Sequence, residues 1–270
     1  MSKRRLKHPD YLKNLLSFQS ELNESTQLVN ETRKEGAQNL NKLTFPQPKD
    51  EDWQFTKLRA LTKHDFVPTR RSAQENVDPV ELKKYYLAES EGARIVFIDG
   101  WFSEKFSDIT DLPADIEVGT LAELSGNDGN FVAKHFNKYN DFRDDVFAQF
   151  SSAFADQGYC ILITKEVNLE KPVQLLNIYT GSQENFFTTN RTLVVAEENS
   201  SATIVEEHVG LSDNRYFTVP VSEFRLFEGA HVKHVKVQND SKSAIHISRP
   251  VAHVASHAHY QSYTFTFVPQ

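Results

Sequence analysis

The sequence predicts a mixed α+β N-terminal region, residues 1–157, followed by an all-β region, residues 158–270. Three observations carry this. Proline-free or helix-spaced apolar segments are confined to the first part. After Gly158 helical signals almost vanish, and short stretches rich in β-branched and aromatic residues take over. Asn, Ser, Asp and Gly fall between those stretches, as at Asn199–Ser201, Gly229 and Asn239–Ser241.

In chain order, residues 10–43 lack proline and carry spaced leucines. Leu12, Leu15 and Leu16 fit one helical face, and beyond Leu22 the pattern thins. In "FPQPKDED" Pro46 and Pro48 break any helix. "DPVELKKYYLA" is a helix start: Asp78 caps, Pro79 suits the first helical position, and Glu81 sits where a capping-box acid belongs. "RIVFIDGWF" reads as a strand and a tight turn at Asp99-Gly100. In "DFRDDVFAQFSSAFADQG" Phe142, Val146, Phe150 and Phe154 recur with helical spacing, Asp141 is placed to cap the helix and Gly158 to end it.

The expected strands beyond Gly158 are "YCILITK", "VQLLNIYT", "RTLVVAE", "ATIVEEHV", "EFRLFE", "HVKHVKV", "AIHISRPVAHVA" and "HYQSYTFTF". Many short strands at even spacing mean a sandwich, a barrel or a β-solenoid. One feature favours the solenoid: "SSATIVEEHV" and "EGAHVKHVKV" each place an alanine, Ala202 or Ala230, between a polar turn and an alternating strand.

The 270 residues bury a substantial core, and a net charge of -7 with 25% charged residues argues against nucleic-acid binding. No apolar run approaches the roughly 20 residues of a membrane span. The basic start "MSKRRLKHPD" lacks the apolar stretch of a secretory signal, and early acids such as Asp10 and Glu21 argue against a transit peptide. The single cysteine, Cys160, excludes an internal disulfide and points to a reducing compartment, the cytoplasm.

Seven of the ten histidines lie beyond residue 200: His208, His231, His234, His246, His253, His257 and His259. On a strand His257 and His259 share a face, a spacing compatible with zinc or iron, whereas His231 and His234 face opposite sides. Histidines inside a solenoid instead hydrogen-bond along the stack, and nothing supplies a third ligand here. Phosphate-loop, dinucleotide and nucleophile-elbow patterns are missing; "GNDGN" lacks the required lysine and helix. Cys160 begins an apolar strand and reads as a buried, inert thiol. Asp144-Asp145 and Glu206-Glu207 are sequence neighbours and make poor acid–base pairs, since strand neighbours point apart. Tyr179, Phe186 and Phe187 read as core. No residue is assigned a catalytic, cofactor-binding or metal role.

"FPQPKDEDWQFTKLRAL" carries more. Phe45, Pro46, Asp50, Glu51, Trp53, Phe55, Thr56 and Leu58 form a pattern that resembles the SufB/SufD family of iron–sulfur cluster assembly proteins, on its SufD side. "RIVFIDGWFS", "NRTLVVAEENSSATIVEEHVG" and "FEGAHVKHVKVQNDSKSAIHIS" follow in the family's order, the last with Gly229, Ala230, Lys236, Gln238, Ala244, His246 and Ile247. The resemblance implies a right-handed parallel β-helix, here incomplete, because family members continue with further coils beyond "SYTFTFVPQ". It implies a non-catalytic scaffold subunit that pairs with SufB and the ATPase SufC. No cofactor is expected in this chain; the iron–sulfur cluster belongs to the assembled complex. Trp53 and Phe55 are expected to dock the N-terminal segment onto its own region. The alternatives are a SufB-like paralogue, which would carry core cysteines, and a β-helix carbohydrate-active enzyme, which would normally carry a secretion signal.

Overall fold

A computed structural model describes residues 15–56, 58, 60–61, 63–69, 77–88, 93–126, 130–139, 144–155 and 157–267. The N-terminal elements are α1 (Gln27–Leu40), β1 (Val67–Pro68), α2 (Pro79–Lys83), β2 (Arg94–Ile98), β3 (Trp101–Phe102), β4 (Ile116–Thr120), α3 (Leu121–Leu124), α4 (Phe131–His135) and α5 (Val146–Ala153). There follow β5 (Gly158–Ile163), β6 (Val173–Tyr179), β7 (Phe186–Thr188), β8 (Arg191–Ala196), β9 (Ser201–Gly210), β10 (Tyr216–Thr218), β11 (Val221–Leu226), β12 (His231–Asn239), β13 (Ile245–His246), β14 (Arg249–Val254) and β15 (His259–Thr266). Among the described residues no helix is long and apolar enough to cross a membrane.

The strands wind as a right-handed parallel β-helix of about four coils with three faces. One face runs β6-β9-β12-β15, the second β7-β10-β13 and the third β5-β8-β11-β14. The N-terminal region adds β2 and β3 to the first, β1 to the second and β4 to the third; among the described strand pairs only β2–β3 and β4–β5 are antiparallel. Register passes from Ser201 to His231 and from His231 to His259. Ala202 therefore stands beside Val232, not in register with Ala230. The coil-to-coil step varies, which hides the repeat from a fixed-period comparison.

The N-terminal elements cover the outer faces of the first coils. Leu82 of α2 packs with Val96, Leu176 and Ile178. Leu121, Val132 and Phe136 cover Cys160, Leu193 and Val195. Phe147 and Phe150 of α5 cover Phe187 and Phe217. This explains why β5, β6 and β8 are buried on both faces along their whole length, while β9 and β12 alternate.

Three local expectations are corrected. The longest helix lies after Leu22, where the leucine pattern thins: Thr26 accepts from Val29 N and starts α1. The best-patterned helix starts late, at Val146, with Asp145 accepting from Phe147 N and Ala148 N; Asp141, Phe142 and Leu12 lie outside the described residues. Gly158 opens β5 rather than ending a helix, and a Cβ there would meet the Arg191 carbonyl oxygen at 2.5 Å. The Asp78 cap and the Asp99-Gly100 hairpin are as expected, both turn residues having positive φ, 49° and 84°.

Candidate functional site: a buried histidine and carboxylate column

The inward side chains of β9 and β12 change character along each strand. Ala202 and Ile204 lead to Glu206 and His208, and Val232 leads to His234 and Lys236, all buried. The coil interior is therefore apolar where these strands begin and polar where they end.

Glu206 is the centre. Its Oε1 lies 2.7 Å from His208 Nε2, and its Oε2 lies 3.0 Å from His234 Nε2 and accepts from Ser222 Oγ at 2.8 Å. His208 Nδ1 meets Tyr179 Oη at 2.9 Å, which reaches Thr218 Oγ1 at 3.1 Å. His234 Nδ1 meets Tyr260 Oη at 2.8 Å. Four neighbouring strands of one sheet thus contribute one unbroken chain, Tyr179–His208–Glu206–His234–Tyr260, along the solenoid axis. Burial alone would raise the Glu206 carboxyl, but the hydrogen bonds and charges of His208 and His234 outweigh it and hold it well below the usual carboxylate range. A carboxylate only accepts, so both Nε2 atoms carry hydrogen and donate to it.

A second limb lies alongside. Lys236 Nζ donates to His246 Nε2 at 2.8 Å, and His246 Nδ1 lies 3.1 Å from Asp240 Oδ2. Tyr216 Oη donates to Asp240 Oδ1 at 2.6 Å. The limbs touch through rings: His246 meets His208 edge-on at 4.5 Å, and Tyr216 stacks on Tyr179 at 4.6 Å. Burial pushes His246 down to about 4 and lowers Lys236 as well. Burial works against Asp240, yet its contacts with His246 and Tyr216 bring it to about 2.

The remaining sequence candidates lie elsewhere. His257 is not on a strand. It occupies the corner before β15 with φ 58°, so it shares no strand face with His259. Asn199 and Gly229 hold the corresponding corners before β9 and β12, with φ 57° and 69°. His231 and His259 are exposed on the outer face and stack at 4.8 Å. His253 is exposed and bonded to Arg225 at 2.8 Å. Cys160 is buried, and burial pushes its thiol far above the ordinary range. Glu207 points outward to Gln174, away from Glu206. Among the described residues no group of three or more His, Cys, Asp and Glu side chains is arranged to hold a metal ion. The column itself was missed. Its signal is the Glu-x-His spacing in "EEHV", which puts Glu206 and His208 on one strand face; His234 joins only through the register.

Trp53 packs on Phe147 with ring centroids 5.1 Å apart, as docking of that segment requires. Phe55 does not dock: it is 91% exposed.

Residues 7–175 match the model of the SufBD protein N-terminal region, and residues 178–269 match that of the SUF system FeS cluster assembly SufBD core domain. The chain belongs to the SufBD family. The buried column falls inside the matched core domain. Relatives of this SufBD chain include an iron-sulfur cluster assembly SufBD family protein of Synechocystis sp., 31% identical over 83% of this chain and 50% of that protein. The chloroplastic protein ABCI7 of Arabidopsis thaliana is 26% identical over 80% of this chain and 45% of its own length. The iron-sulfur cluster assembly protein SufD of Escherichia coli is 25% identical over 84% of this chain and 50% of its own length. The chain thus spans about half the length of the curated relatives it matches.

Proposed function

We propose that this SufBD-family chain is a non-catalytic scaffold subunit of the SUF iron–sulfur cluster assembly machinery, pairing with SufB and the ATPase SufC. The observation that carries this reading is the ordered match to both SufBD regions over nearly the whole chain. The chemistry of the interior supports it. The only thiol, Cys160, is sealed under Leu121 and Phe136, and the buried histidines are bound to carboxylates and tyrosines of their own and neighbouring coils. Engaged with one another in this way, these groups fit a structural role. The cluster is cargo, built at the level of the assembled complex. Co-expression of the tagged chain with SufB and SufC tests the reading: the three are expected to co-purify. Failure to retain either partner, or one tightly held cluster per isolated chain after anaerobic reconstitution, would overturn it.

A further inference from the structure

The formal charges of the buried column's carboxylates and ammonium do not balance. Glu206 and Asp240 bring two carboxylates, and Lys236 brings one ammonium. His246 turns its Nε2 lone pair to that ammonium and is neutral. One negative charge remains in an interior where all these groups are at most slightly exposed. An unbalanced buried charge is costly, and a proton is the smallest group that removes it.

Two rings could take that proton, since both His208 and His234 already donate through Nε2 and have Nδ1 free to gain one. A second proton on His208 would point at Tyr179 Oη, which is fully buried and would have to turn its own hydrogen onto Thr218. A second proton on His234 points at Tyr260 Oη on β15, which is only half-buried. Tyr260 can turn its hydrogen outward to water. The Phe224 ring lies 4.7 Å from the His234 ring, a favourable neighbour for a cation. Ser222 donates to Glu206 in either state and adds no charge.

We propose that the column is a protonation site, in which His234 carries hydrogen on both ring nitrogens at neutral pH, delivered from solvent through Tyr260, and clamps the third coil to the fourth. In loading, Tyr260 passes its hydroxyl hydrogen to His234 Nδ1 and regains one from a hydronium ion in the solvent. Only O–H and N–H bonds change, and the cluster gains one positive charge. The imidazolium then donates to Glu206 on β9 and to Tyr260 on β15, so three strands are held by one charged group. As pH rises the proton leaves by the same route and the clamp weakens. This site is independent of which partners the subunit has.

Nitrogen-15 NMR of the full chain with labelled histidine tests the proposal. At neutral pH one buried ring should show both nitrogens protonated. That signature should be lost in Glu206→Gln, because a neutral amide leaves no charge to balance. In Tyr260→Phe it should persist only at lower pH, since the acceptor of the second proton is gone. Wild-type spectra in which His208, His234 and His246 are all neutral overturn the proposal. So does a doubly protonated ring unmoved by Tyr260→Phe, a half-buried change that keeps the ring and decides the matter if Glu206→Gln does not fold.

Discussion

Arg191 and Glu223 form an ion pair between adjacent strands of the third face, with both side chains 1% exposed. Asn137 N donates to Glu223 Oε2 at 2.9 Å, Arg191 donates to Ser152 Oγ at 3.0 Å, and its guanidinium lies over Phe136 at 4.8 Å. The pair therefore fastens two coils to the loop after α4 and to α5. Removing one partner strands a buried charge, which typically costs about 3–5 kcal/mol. Glu223→Ala is expected to lower stability by that order in urea unfolding. A double Arg191→Met, Glu223→Leu variant should recover a large part of it, since neither charge is then left alone.

Trp53 and Phe55 separate cleanly. Trp53 is half-buried, and the Arg249 guanidinium sits beside both rings of its pair with Phe147, 5.4 Å from Trp53 and 5.6 Å from Phe147. Removal of Trp53 should cost about 1.5–3 kcal/mol, the order for losing one large apolar contact rather than a fully enclosed ring. Phe55→Ser should stay within about 0.5 kcal/mol. Thermal melts of the two variants compare them directly; equal losses would contradict the packing described here.

Most of the solenoid was legible because its longer strands are either rich in apolar residues throughout or alternate with period two. The apolar stretches of β5, β6 and β8 and the alternation of β9 and β12 needed only residue types. Short strands were not legible. Phe186–Thr188 and Tyr216–Thr218 are three residues each and owe their conformation to parallel neighbours distant in sequence. The corners show the same limit. Asn199 and Gly229 announce a left-handed turn by residue type, whereas Glu166 and His257 adopt positive φ with no such signal in their residue type. The Glu206 column needs register above all: His234 reaches it from a strand whose offset no fixed repeat length predicts. The family resemblance supplied the handedness and winding that periodicity left open.

Gly36 on α1 tests the contact between the two longest helices. A Cβ there would lie 2.5 Å from Ala153 N and 2.8 Å from Ser152 Cβ, both on the C-terminal turn of α5. Helix propensity alone favours Gly36→Ala by about 1 kcal/mol. The clash is with backbone, which cannot swing aside, and overpacking of this kind costs about 1–3 kcal/mol. A net loss of stability is expected in chemical denaturation; a gain would mean that α1 and α5 pack less closely.

Acid should unfold this chain through its interior. His246 is held neutral by burial, near 4 against an ordinary 6.5. The unfolded chain therefore binds more protons between those values, so the stability this group contributes is present above 6.5 and is lost as pH falls through the window. The loss is on the order of 3 kcal/mol at about 1.4 kcal/mol per unit. Asp240, held near 2, adds a loss of the same sign below its ordinary value of 3.8. Melting temperature should fall between pH 6.5 and 4, and His246→Gln should flatten that fall. An unchanged slope in the variant would assign the acid sensitivity to other groups.

The outer face of β15 carries Tyr263 and Phe265, and Phe267 follows directly, at 46%, 50% and 58% exposure. In register beside Tyr263 and Phe265 stand Val235 and Val237 of β12, both half-buried. Aromatic and branched side chains thus form a contiguous patch rather than scattered single residues, and such patches drive association in water. The isolated 270-residue chain should self-associate as its concentration rises. Light scattering across a concentration series measures this. Phe265→Lys places a charge in the middle of the patch without touching the interior, where Thr264 and Thr266 point the other way. The variant should stay monomeric to higher concentration with an unchanged melting temperature. If wild type and variant scatter alike, the patch is not the contact.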